Sequence, residues 1–66
     1  MANLKTYLIA AYNSKNAKKH FISDLAYGIN EIEAENSLIN KTYYFDYEQK
    51  RILGTCRKAI VINEIN

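Results

Sequence analysis

The residues best able to do chemistry are His20, Asp24 and Cys56. A Cys–His nucleophile needs the two side chains to meet, with a third group orienting the base. The spacing from 20 to 56 gives no reason for them to meet. A metal centre would need a third ligand beside His20 and Asp24, with Cys56 the available one, and the pattern lacks the paired spacing of zinc sites. There is no nucleophile elbow, no glycine-rich phosphate loop and no paired-carboxylate signature. The sequence therefore points to no catalytic residue, no metal ligand and no cofactor, and to a chain that is not an enzyme.

Two other residue sets could make contacts. Tyr44 and Tyr47 lie beside Lys50 and Arg51, and Tyr27 adds a further aromatic. Tyr and Arg are enriched where proteins meet proteins, so Tyr27, Tyr44, Tyr47, Lys50 and Arg51 are the candidate protein-binding residues. Alternation along 42–47 puts Tyr43, Phe45 and Tyr47 on one face, with Phe45 and its row predicted to be core and Tyr44 outward. The second set is basic: Lys15, Lys18, Lys19 and His20, with Arg57 and Lys58 further on. These are the candidate nucleic-acid-binding residues of the alternative reading, in which phosphates are held by lysines at a helix start.

The elements that must position these residues follow from pattern. Residues 4–12 read as a strand, apolar on both faces from Leu8 to Ala11, which suits an interior position. Asn13-Ser14-Lys15-Asn16 reads as a turn. Residues 16–35 read as an amphipathic helix, because Ile22, Leu25, Ile29 and Ile32 recur at helical spacing. Its polar side would align His20, Asp24, Tyr27 and Glu31. Gly28 then sits inside the helix, tolerated by close approach to a sheet; in the competing reading it caps a helix ending at Tyr27, and a strand starts at Ile29. Lysines at the start of that helix and Glu31, Glu33 and Glu35 at its end oppose the macrodipole, a local rule broken as at functional sites. Residues 42–47 read as a strand, 48–50 as a hairpin turn, and 51–56 as a strand with a bulge or bend at Gly54. Lys58 to Ile65 reads as the last strand, again apolar on both faces and a neighbour of the first at the middle of the sheet. The predicted fold is α+β: a two-layer sandwich of one amphipathic helix on a three- to four-stranded, mostly antiparallel sheet, in the order β-α-β-β or β-α-β-β-β.

Composition bounds the rest. The chain has 66 residues, 48% of them apolar and 24% charged, a globular balance in one domain spanning 1–66. A domain this small buries only about 60% of its unfolded surface. One cysteine excludes an internal disulfide framework. No apolar run approaches the roughly 20 residues of a membrane span, and the first residues lack a signal-peptide pattern, so a cytoplasmic protein without membrane contact is expected. Asn, Ile, Lys and Tyr supply 30 of the 66 residues. All four have A/T-rich codons, which suggests a low-GC bacterium or a phage or mobile element living in one. The net charge of +2 is modest for a dedicated nucleic-acid binder. The expected function is a small binding protein acting as an inhibitor or regulator on a host protein's surface. Nucleic-acid binding is the alternative, and homodimerisation through an exposed strand edge is a further possibility.

Overall fold

The computed structural model describes residues 3–65. Its elements run β1 (Lys5–Tyr12), β2 (Ile22–Gly28), α1 (Glu31–Leu38), β3 (Thr42–Asp46), β4 (Arg51–Thr55) and β5 (Lys58–Ile65). The α+β class is as expected: one short helix packs against a three-stranded antiparallel sheet, and a β-hairpin completes the fold. The strand order is β2-β1-β5, with β3 and β4 forming their own two-stranded sheet.

The expected order is corrected to β-β-α-β-β-β, because residues 16–35 do not form a helix. Residues 13–21 connect β1 to β2, β2 pairs with β1 from Lys5↔Gly28 to Ala11↔Ile22, and the helix begins only at Glu31. The reading that capped a helix at Gly28 and began a strand at Ile29 is corrected with it. Local chemistry explains the true start. Asn30 Oδ1 accepts the Glu33 N–H at 2.8 Å, and Glu33 Oε1 reaches back to the Ile29 N–H at 3.2 Å. This is close to a capping box, with Glu33 reaching one residue beyond the N-cap Asn30. Glu31 and Glu33 now stand in the first turn, where the macrodipole favours acids. The supposed charge conflict disappears: the lysines are not on the helix, and Glu31 and Glu33 stand at its favourable end.

The strand from Lys58 to Ile65 pairs with β1, and β1 is central as its two apolar faces suggest. The expectation that β5 too lies at the middle is corrected: it is an edge strand, apolar on both faces because its Ile60 and Ile62 are exposed rather than covered, with a bulge opposite Leu8 and Ile9. Tyr7, Ile9, Ala11, Ala26 and Ala59 face inward and are covered by Ala34 and Leu38 of α1. Ile9 and Cys56 are fully buried. Gly28 shows how tightly the layers meet: a Cβ there would stand 2.7 Å from the backbone nitrogen of Ala34. Close approach is indeed why glycine is used, but from a strand toward a helix.

The hairpin is stitched on at its neck. Asn40 N donates to Cys56 O, and Cys56 N donates to Lys41 O. Asn40 adopts φ 74° just past the helix end, where the left-handed region closes helices. Tyr43 enters the core, and its ring meets Phe21 edge-on at 5.8 Å between centroids. Gly54 leaves room for Phe21, since a Cβ there would come within 2.9 Å of that ring. A register shift between Tyr43 and Tyr44 places the β4 irregularity beside Gly54, as expected.

Candidate functional site

Four of the five candidate protein-binding residues come together. Tyr44 lies on β3, Arg51 begins β4, and Tyr47 and Lys50 lie in the turn between them. Asp46 Oδ1 accepts the N–H groups of Glu48 and Gln49 and so holds the turn. Lys50 takes φ 56°, a left-handed conformation. The Tyr44 and Tyr47 rings lie 5.3 Å apart at an interplanar angle of 52°. Tyr27 is not part of this cluster; it lies on the outer side of the three-stranded sheet, opposite Thr6.

The expected burial of Phe45 and its row is corrected. Only Tyr43 is core; Phe45 is 63% exposed and Tyr47 71%. The strands of the hairpin reach past the layer that α1 covers, so alternation there has no core to point into. Ile52 and Leu53 are exposed on the same hairpin, and sequence reasoning missed them. No sequence signal marked their exposure, which depends on where α1 ends its cover.

The six basic residues also gather. Lys15, Lys18, Lys19 and His20 lie on the β1–β2 connection, and Arg57 and Lys58 lie where β5 begins, opposite Tyr12. The helix start that was to frame them is absent, which removes the backbone donors the alternative reading invoked. Two cations are already engaged. Lys58 Nζ donates to the carbonyls of Lys15 and Ala17 and sits 4.4 Å from the Tyr12 ring centroid. Arg57 Nη1 donates to Asn40 Oδ1 at 2.8 Å. His20 packs edge-on to Tyr12.

The alignment of His20, Asp24, Tyr27 and Glu31 on one helix side is corrected too, since they lie on a loop, a strand and a helix. Asp24 instead joins the hairpin to β2. It accepts from Tyr43 OH at 2.6 Å and from Lys41 Nζ at 3.0 Å. Burial pushes the Asp24 carboxyl up, but the bonds from Tyr43, Lys41 and the Leu25 amide outweigh it and hold its pKa below the ordinary value. Burial raises the Tyr43 hydroxyl, and donation to an anionic partner raises it further. Cys56 belongs to the core; burial pushes its thiol up, and its Sγ donates to Lys58 O at 3.4 Å. Among the described residues no three His, Cys, Asp or Glu side chains are placed to hold a metal. No helix among them is long and apolar enough to cross a membrane.

Chemically, then, the molecule offers two surfaces: an exposed aromatic tip flanked by Lys50 and Arg51, and a basic end. Comparison with protein-family models, with curated proteins and with solved structures finds no match for this chain.

Proposed function

We propose that this chain is a small non-enzymatic binding protein that occupies a partner protein's surface, as an inhibitor or regulator of the kind a phage or mobile element encodes. The observation that carries the reading is the hairpin tip. There Tyr44 and Tyr47 pack ring to ring, Phe45 and Tyr47 are largely open to solvent, and Lys50 and Arg51 adjoin them. Rigid aromatics beside an arginine make up the side-chain set that dominates binding energy in protein interfaces. The partner surface that fits is apolar with an acidic or mixed rim.

The test immobilises the chain and compares capture of host proteins by the wild type with capture by Tyr44→Ala, Tyr47→Ala and Arg51→Ala. Capture should fall at least tenfold in these variants, with unfolding midpoints within a few degrees of wild type. Undiminished capture, or a collapse of the midpoints, would remove the hairpin as the contact surface.

A second reading, nucleic-acid binding, is favoured by the gathering of Lys15, Lys18, Lys19, His20, Arg57 and Lys58 at one end. Its signature is affinity that falls by orders of magnitude between about 50 and 200 mM salt. A fluorescence-anisotropy titration with single- and double-stranded DNA and RNA reads it directly. Affinity that does not change with salt would sink it.

A further inference from the structure

One helix covers one side of the three-stranded sheet, and the other side is bare. Leu25 and Tyr27 of β2, Leu8 of β1, and Ile60 and Ile65 of β5 share that outer side by register, with Ile62 at the bulge beside them. Leu25, Tyr27, Ile60, Ile62 and Ile65 are between 41% and 61% exposed. In the central row between them Ala10 is nearly buried and Leu8 half-buried.

We propose that this face is covered by the same face of a second copy of the chain, in an isologous two-fold dimer of sheet packed on sheet. The first argument is charge. The outer register rows hold no acidic or arginine side chain. Their one cation, Lys58, is folded back onto the Tyr12 ring and two loop carbonyls. Two copies of a chain with net charge +2 can thus meet here without opposing like charges, whereas a strongly charged partner would find nothing complementary. The second argument is area. Tyr27, taking roughly 200 Å² when bare, and four smaller aliphatic side chains, all about half exposed, leave on the order of 400–500 Å² open. Closing two such faces buries about 800–1,000 Å², at the lower bound of specific interfaces. The geometry suits it, because twisted sheets pack face to face about 10 Å apart through interdigitating apolar side chains.

The face is also a better route than the free edge of β5. There Glu35 Oε2 already accepts the backbone N–H of Val61 at 2.9 Å, and side-chain carboxylates on an edge discourage strand addition.

Light scattering after size-exclusion chromatography should give twice the 7.6 kDa chain mass for the wild type at tens of micromolar. Leu25→Glu and Ile60→Glu each put a carboxylate in the dry centre of the contact and should weaken association about a hundredfold or more. A variant-free measurement guards against misfolding: isotope-filtered NOEs in a mixture of labelled and unlabelled wild type should appear at the Leu25, Ile60 and Ile65 methyls. A wild type that stays at 7.6 kDa overturns the proposal. So do folded Glu variants that remain dimeric, or intermolecular NOEs confined to Phe45, Tyr47 and Ile52 of the hairpin.

Discussion

Asp24 ties β2 to Tyr43 of β3 and to Lys41 just before it through one carboxylate, and its titration should be visible in the stability of the whole fold. Its pKa is lowered in the folded state, so its contribution is present above the unfolded value of about 4 and fades as pH falls below it. Tyr43 behaves in the opposite direction. Its pKa is raised, so its contribution is complete below the unfolded value of about 10 and is lost as pH rises past it. Replacing Tyr43 by Phe keeps the ring against Phe21 but removes the bond to Asp24, and should cost about 1–2 kcal/mol at pH 7. The alkaline loss should then become shallower than in wild type. Urea unfolding of both proteins from pH 3 to 11 checks this, and parallel alkaline limbs would refute the assigned coupling. Lys41→Ala should cost less, under about 1 kcal/mol, because the Lys41 side chain of this pair is 51% exposed.

At the scale of elements, Gly28 joins β2 to α1. Gly28→Ala pushes a methyl to 2.7 Å from a backbone atom of the helix, which cannot swing aside as a side chain could. A loss of about 1–3 kcal/mol is expected. Gly54→Ala meets the Phe21 ring, which can turn, and should cost less. Thermal melts of the two variants give the ranking, and equal midpoints would contradict it. The same region shows what the sequence could and could not reveal. β1, β3, the turn, β4 and β5 were legible because β-branched and aromatic runs are bounded by turn residues. The stretch 16–35 was not. The spacing of Ile22, Leu25, Ile29 and Ile32 mimics a helix stripe, yet Ile22 points inward, Leu25 points to the bare side, and Ile29 and Ile32 are exposed. A strand that is apolar on both sides hides its period of two. The signal that went unread is the pair Asn30 and Glu33, which cap the true helix start. For the site, the aromatic and basic groupings were legible as neighbours in sequence. The exposure of Phe45 was not, because it depends on where α1 stops covering the sheets.

At the scale of the whole molecule, the hairpin makes the shape. The extents are 42 × 28 × 17 Å and the radius of gyration is 12.4 Å, above the roughly 11 Å expected for a compact chain of this length. Beyond its neck the hairpin is held by Tyr43, Phe21 and Gly54 alone among the core contacts described. Hydrogen exchange should therefore be graded, with residues 44–53 opening at much lower free energy than Tyr7 to Ala11 in β1. Amide exchange followed by NMR measures the gradient, and uniform protection would show instead a single cooperative unit.

The placement of β1 has a consequence for how the protein comes off the ribosome. The strand at the centre of the sheet is the first of the five to be made, and the partner along one of its sides, where Thr6 faces Ile65, is the last. Nothing between them can close that side of the ladder. A nascent chain must therefore hold Ile9 and Ala11 half covered, with only β2 and α1 for shelter, until β5 has cleared the exit tunnel. Closure of the sheet therefore waits on the arrival of β5, and until then the open side of β1 is available to wrong partners.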